Sequence, residues 1–299
     1  MAISSNATGI IFAVIASFSW AVFAFTIKYA LDGASVLKTA AGVNGLNALT
    51  VTIITLSIIP PSAFIPEHSE TYIHLGLAGL FHIGLARIIF YTAIHRLGPN
   101  RSIPVAMSYP IITALTSAWL LGEAITGRIF IGLALLLAGI TLIVRADSPR
   151  SQTDGNTAAS WRLVGWVCAG VTSLLWGVAA TFFKKSALDI HPLAVSSIAL
   201  WIGFIVSFIA ARLLDPDGTI PARSWRWILM STCCQTVAVP FYILAFTHTL
   251  SVRVTAIISA QPLLVIPIGW LIMRESENIT PRLISGAVLV VGGTILVIT

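Results

Sequence analysis

Long apolar runs alternate with short polar breaks along this chain. Stretches of about 20 apolar residues, enough to cross a bilayer core, fall near 8–29, 36–59, 72–94, 102–121, 126–144, 163–184, 193–213, 226–246, 254–273 and 281–298. The pattern predicts ten transmembrane helices. The first is expected to be retained, because the run from Thr8 to about Tyr29 has no basic lead and no convincing small-residue cleavage site. Breaks such as Pro60-Pro61, Gly98-Pro99-Asn100 and Asp215-Pro216-Asp217-Gly218 let the backbone leave a helix and meet water. Most connections are short, so sequential helices are expected to be antiparallel neighbours. One connection, Arg145 to Ser160, is longer and too polar for a bilayer core. It predicts a first unit at 1–145, a linker at 146–160 and a second unit at 161–299.

The two units repeat each other. Pro262 follows Pro110, and Glu275 follows Glu123, by 152 residues; Arg128, Gly132 and Gly139 recur two residues later in register as Arg282, Gly286 and Gly293. The first helices match as well, with Trp20 and Lys28 recurring 156 residues on as Trp176 and Lys184. A self-match sustained over this span is a duplication. An odd number of helices per repeat makes the second enter the membrane from the opposite side, giving inverted halves related by a pseudo-twofold axis in the membrane plane. The paired Pro…Gly-Glu…Thr…Arg…Gly…Gly pattern resembles the EamA domain of the drug/metabolite transporter (DMT) superfamily, in its ten-helix form. That resemblance implies an all-α polytopic membrane protein of two inverted five-helix EamA repeats, acting as an exporter. One departure is Arg274 in the second corner where the first has Gly122, so the corners need not bend alike.

Composition agrees with a membrane protein: 57% of residues are hydrophobic and 9% charged, more apolar surface than one soluble core buries. The net charge of +6 does not mark a nucleic-acid binder, because the basic residues sit singly at span ends rather than in a patch. They read as topology signals. The connections after helices 1, 3, 5, 7 and 9 hold Lys28, Lys38, Arg96, Arg101, Arg145, Arg150, Arg162, Arg212, Arg223, Arg226, Arg274 and Arg282, whereas the opposite side holds only Arg128, Lys184, Lys185 and Arg253. The positive-inside rule then puts the central linker in the cytoplasm and both termini outside, in a bacterial inner membrane. Cys168, Cys233 and Cys234 lie inside apolar segments without zinc or disulfide spacing, and are expected as small buried side chains.

Arg87 is the charge placed deepest in any span, where a cation needs a partner, water or a ligand. Gly84, Arg87 and Tyr91 share one helix face, and a shift of 151 residues sets Gln235, Ala238 and Tyr242 opposite them. If these faces line a central cavity, Arg87 can hold a carboxylate while Tyr91, Tyr242 and Gln235 add hydrogen bonds and aromatic surface; otherwise Arg87 snorkels to an interface. His82, five positions away and roughly 140° around an α-helix, need not face the same cavity. Trp20 and Trp176 are candidates for aromatic walls, or for interfacial anchors. Tyr109 and Gln261 precede Pro110 and Pro262, where kinks turn polar groups inward; Pro104, Pro240 and Pro267 add further kinks. Glu123 and Glu275 read as structural corners, capping the next helix or pairing with arginine. Asn44 and Asn47 read as interhelical glue.

The expected function is a secondary transporter of small metabolites such as amino acids or related carboxylates, working by alternating access of the two repeats, with substrate-binding candidates Arg87, Tyr91, Gln235, Tyr242, Trp20, Trp176, His82, Tyr109 and Gln261. A nucleotide-sugar or sugar-phosphate exchanger needs more deep cations than Arg87 alone supplies. Multidrug members of the superfamily carry a first-helix Glu that this chain lacks at mid-span, which weakens a broad drug exporter. A non-transporting membrane protein is a further alternative. No nucleophile–base pair or metal-ligand cluster at helical spacing marks an enzyme. There is no P-loop, so transport draws on gradients or exchange. No cofactor or metal is expected; the partners are a small-molecule substrate and the lipid bilayer, with a coupling ion left open and a monomer or homodimer as the assembly.

Overall fold

A computed structural model describes residues 5–146, 156–273 and 281–299. All regular structure among the described residues is helical. The first unit contains α1 (Ser5–Ala30), α2 (Val36–Ile58), a 3-10 turn (Pro61–Phe64), α3 (Glu70–Ala78), α4 (Ala86–Leu97), α5 (Pro99–Ala106), α6 (Pro110–Leu121) and α7 (Gly127–Ala146). The second contains α8 (Asn156–Ala187), α9 (Pro192–Leu214), α10 (Ala222–Phe246), α11 (Ser251–Ser259), α12 (Pro262–Met273) and α13 (Pro281–Ile298). Between α3 and α4 the chain keeps a helical path through a π-helix at Gly79–Leu85. Grouping α3 with α4, α5 with α6 and α11 with α12 recovers ten spans. α8 begins at Asn156, inside the stretch expected as linker, while the corner at Arg274, Glu275 and Thr280 lies outside the described residues.

The breaks within spans follow proline. Pro110 and Pro262 each open the second half of a span, and lacking an N–H they cannot continue the hydrogen-bond ladder from the half before. Met107 to Tyr109 and Ala260 to Gln261 form the intervening turns. α6 ends at Gly122, whose φ of 65° is the left-handed conformation that glycine adopts without strain.

The repeat-equivalent helices α7 and α13, and likewise α2 and α9, meet, and they run antiparallel as the inversion of the repeats predicts. A Cβ on Gly132 would lie 2.7 Å from Gly293 O, and one on Gly139 would lie 2.6 Å from Gly286 O, so α7 and α13 run in opposite directions with backbones in direct contact. α2 and α9 do the same: Asn44 donates to Ser207 Oγ at 3.0 Å near one end, and Ser197 Oγ donates to Thr55 Oγ1 at 3.0 Å near the other. The largest interfaces join the two repeats: α7 with α13, α1 with α10, α2 with α9, and α4 with α8. Sequential helices, expected to be antiparallel neighbours, share smaller interfaces than these. In lipid no hydrophobic drive collapses adjacent helices, and close approach is decided by small residues and interhelical hydrogen bonds.

The connections sort by end. Near the α1–α2 turn, Ser35 N–H donates to Thr219 O at 2.9 Å and Lys38 Nζ to Pro216 O at 2.7 Å, bringing it against the α9–α10 connection. At the other end Ser5 Oγ contacts His248 between α10 and α11, and His68 contacts Asp189 between α8 and α9. Large apolar side chains such as Trp119, Phe130 and Val288 are exposed on the outer surface, where bilayer tails cover them. Cys233 is also exposed there, against the expectation for a buried side chain, because it lies on the outward face of α10.

Candidate functional site

At the centre of the helices lies a small cavity. Trp20, Phe23 and Ala24 of α1, His82 of the π-helix, Arg87, Phe90 and Tyr91 of α4, and Trp176 of α8 form much of its wall. Gln235 of α10 faces them, and the two broken spans add Met107 and Tyr109 on one side and Ile258 and Gln261 on the other. Eight of the nine sequence candidates thus share one cavity wall. The ninth, Tyr242, sits one layer behind, its ring 5.0 Å from Trp20 and 5.6 Å from His82 between centroids. The space open to the centre of a water-sized sphere is about 30 Å³, so the cavity is narrow but holds more than one water.

Arg87 does not snorkel. It is 4% exposed and held at depth by two amide oxygens: Nη1 donates to Asn44 Oδ1 at 2.6 Å, and Nη2 to Gln235 Oε1 at 3.2 Å. The Gln235 oxygen also accepts Trp20 Nε1 at 3.0 Å, so α1, α4 and α10 converge on one atom. Two of the five guanidinium N–H groups are used in these bonds. Among the described residues no carboxylate pairs with Arg87, and the cavity wall contains no Asp or Glu. The guanidinium is oriented by neutral partners and its charge is not cancelled.

His82 faces the same cavity as Arg87, contrary to α-helical geometry. The π-helix is the cause: Ala86 N–H bonds to Phe81 O five residues back, so positions five apart come close to one face. The His82 ring stacks on Trp176 (centroids 5.6 Å apart, 29° between planes) and meets Phe183 edge-on at 5.2 Å. Trp176 Nε1 donates to His82 O at 3.3 Å, which turns that indole inward rather than toward a membrane interface. Three buried polar atoms around the cavity have no hydrogen-bond partner: His82 Nδ1, Tyr91 Oη and Tyr242 Oη. Such atoms are costly to leave unmatched.

The pattern of residues did not single out Asn44 as a partner of Arg87. It was read as glue, and it is that too, its Nδ2 lying 3.4 Å from Ile83 O and 3.4 Å from Gly203 O. A polar side chain at mid-span on α2 was the available signal. Asn47 is glue alone, donating to Thr232 O at 3.3 Å. Glu123 lies outside the cavity, as expected of a corner, but its partners differ. Thr126 Oγ1 caps α7 by accepting Ile129 N–H at 3.3 Å, and Glu123 reaches into the other repeat. It pairs with Lys184 of α8 and accepts Ser251 N–H at 3.0 Å, capping α11.

Comparison with curated proteins finds no match. A solved structure described as a protein crystal structure superposes with a TM-score of 0.73 over 96% of this chain and 95% of its own, at 17% identity, which speaks for the fold alone. The profile of the EamA-like transporter family matches twice, over residues 7–145 and 163–299, once for each repeat. With two family segments on two inverted helical repeats around one central cavity, the chain belongs to the EamA-like transporter family of the DMT superfamily.

Proposed function

We propose that this transporter carries small metabolites with a carboxylate group, such as amino acids or related acids, by alternating access, with Arg87 holding the carboxylate at the central site. The observation that carries the reading is an oriented, buried guanidinium with no acidic partner, facing a cavity whose other polar groups include unpartnered Tyr91 Oη and His82 Nδ1. A carboxylate would supply the missing counter-charge and accept further guanidinium N–H bonds. The aromatic wall would take the apolar part of such a ligand. A phosphate-rich substrate fits less well, since the cavity wall holds no lysine and Lys184 is committed to Glu123 and Thr249 O.

Alternating access would open this central cavity to each side of the membrane in turn. The two repeats would part at one end and then the other, bending at the turns before Pro110 and Pro262. The direction is taken as export, as the family resemblance implies, energised by a gradient or by exchange. The termini are placed outside and the linker in the cytoplasm of a bacterial inner membrane by charge alone; a reporter at Thr299 active only in the cytoplasm would overturn that orientation.

The test is uptake of labelled amino acids, organic acids, organic cations and sugar phosphates into proteoliposomes, comparing wild type with Arg87→Ala and Arg87→Lys. Carboxylate flux lost in the alanine variant and partly kept by lysine supports the reading. Flux of cations indifferent to both variants would refute it.

A further inference from the structure

The central site is well furnished for an anion and an aromatic surface, and poorly furnished for a second, cationic end of a ligand. The chain has 11 acidic residues, and each lies near a span end or in a connection rather than at mid-span. The cavity wall accordingly holds Arg87 and no carboxylate. Backbone oxygens could stand in for one, because broken helices can aim freed carbonyls at a cation. In the second-repeat break three of the four carbonyls from Ile258 to Gln261 are already in use: Ile258 O accepts Gln261 N–H at 3.0 Å, Ala260 O accepts Leu263 N–H at 3.0 Å, and Gln261 O accepts Leu264 N–H at 2.9 Å. In the first, Tyr109 O accepts Thr113 N–H at 3.0 Å, and beside the cavity His82 O accepts Trp176 Nε1. The Gln235 oxygen serves both Trp20 and Arg87.

An α-ammonium group sits within a few ångströms of its own carboxylate. Bound at Arg87, it would lie close to the guanidinium, where like charges repel strongly once water is excluded, and it would lose its hydration without an ionic partner. Among the unmatched groups, the phenol of Tyr91 favours the opposite charge. Tyr91 Oη carries a phenolic proton with nothing to receive it, on the cavity wall and on Arg87's helix one turn away. A carboxylate on Arg87 can accept from Tyr91 as well, and an aromatic ring attached to it would meet the indoles of Trp20 and Trp176.

From this pattern we propose that the preferred ligand of the central site is an aromatic monocarboxylate bearing no ammonium group, and that the site discriminates against the matching α-amino acid. The inference rests on the reading of Arg87 as a carboxylate site and narrows it.

The experiment compares three compounds with one ring: 3-phenylpropionate, L-phenylalanine and phenethylamine. Binding of each to purified full-length protein is measured by isothermal titration, and uptake of each into proteoliposomes is followed, for wild type, Arg87→Ala and Arg87→Lys. Thermal unfolding of the same preparations shows that each variant is folded. The expected result is binding of 3-phenylpropionate tighter than L-phenylalanine by about tenfold or more, the equivalent of about 1.4 kcal/mol, with phenethylamine not bound and the 3-phenylpropionate signal lost in Arg87→Ala. Arg87→Lys, which keeps the charge, should retain a measurable part of it, so a folding failure of the alanine variant does not decide the matter. L-phenylalanine bound as tightly as 3-phenylpropionate, both depending on residue 87, would overturn the discrimination and leave the carboxylate site standing. Binding that ignores residue 87, or none by any of the three, would overturn both.

Discussion

Arg87 Nη1 donates to Asn44 Oδ1 at 2.6 Å, a charge-assisted bond from α4 to α2 in the interior of the helical bundle. Asn44 fixes the guanidinium without neutralising it, and that separates two substitutions that look equally conservative. Asn44→Asp supplies an internal carboxylate, which competes with any anionic ligand. Uptake that depends on Arg87 should fall by about tenfold or more in folded protein, since a charged pair at that position binds more strongly than the amide, and losing the Nδ2 donor to Ile83 O, Gly203 O and Ser207 Oγ lowers the unfolding temperature as well. Asn44→Ala removes the anchor and its contacts to Ile83, Gly203 and Ser207, so it should lower the unfolding temperature yet leave anion binding detectable. Wild-type uptake by Asn44→Asp would show that the free charge of Arg87 is not used.

Glu123 and Lys184 tie the end of α6 to the end of α8 across the repeats, with side chains only 7% and 13% exposed. A buried ion is expensive to leave alone, so Glu123→Gln or Lys184→Met alone should cost about 3–5 kcal/mol. The double variant should cost less than the sum, because neither charge is then stranded. Thermal or denaturant unfolding of the four proteins in detergent measures this. Strict additivity would mean that the two residues do not act as a pair. In sequence the repeat equivalents are Lys28 and Glu275, the latter outside the described residues.

The ten spans and their inversion were legible because they depend on features that sequence carries directly: apolar length, and repeat-matched Pro110 with Pro262 or Gly132 with Gly286. The grouping of Arg87, Tyr91 and Gln235 was legible for the same reason, through matched positions in the two repeats. His82 is among the sequence candidates, but whether it faces the same cavity was not legible, because a π-helix changes the angle per residue and nothing local in Gly79–Leu85 announces that change. The partners of Glu123 were hidden for another reason. Its own corner offers Thr126 and Arg128, while Lys184 and Ser251 come close only after the second repeat has folded against the first.

Gly139 lies where α7 and α13 have backbones in contact, and a Cβ there would sit 2.6 Å from Gly286 O and 2.7 Å from Val290 N. Backbone cannot step aside as a flexible side chain can, so Gly139→Val should force the helices apart. Loss of close packing here costs about 1–3 kcal/mol or more, as overpacking does in other interiors. Gly292, on the same α13 but with open space around its Cβ position, is the control. Gly292→Ala should leave the unfolding temperature unchanged or raise it slightly, since alanine favours helix. Equal effects of the two substitutions would mean that α7 and α13 do not meet at this glycine seam.

His68 and Asp189 join the connection before α3 to the turn after α8, outside the membrane-spanning segments. His68 Nδ1 lies 2.7 Å from Asp189 Oδ1, and Asp189 Oδ2 accepts His68 N–H at 3.2 Å and Thr71 Oγ1 at 2.7 Å. The hydrogen bond and charge of Asp189 raise the His68 pKa above its ordinary 6.5, and the hydrogen bonds from His68 and Thr71 hold Asp189 below its ordinary 3.8. A raised histidine contributes stability that is complete below 6.5 and lost as pH rises through its folded value. A depressed carboxylate contributes stability that is complete above 3.8 and lost as pH falls through its own folded value. The clasp is therefore complete between pH 3.8 and 6.5 and weakens on either side. Because the His68 ring is exposed, water screens the pair and the effect on global stability is small, so the informative measurement is local. A proton NMR titration of His68 should give a midpoint above 6.5 in wild type, falling toward 6.5 in Asp189→Asn. The same midpoint in both proteins would mean that the two side chains do not interact in solution.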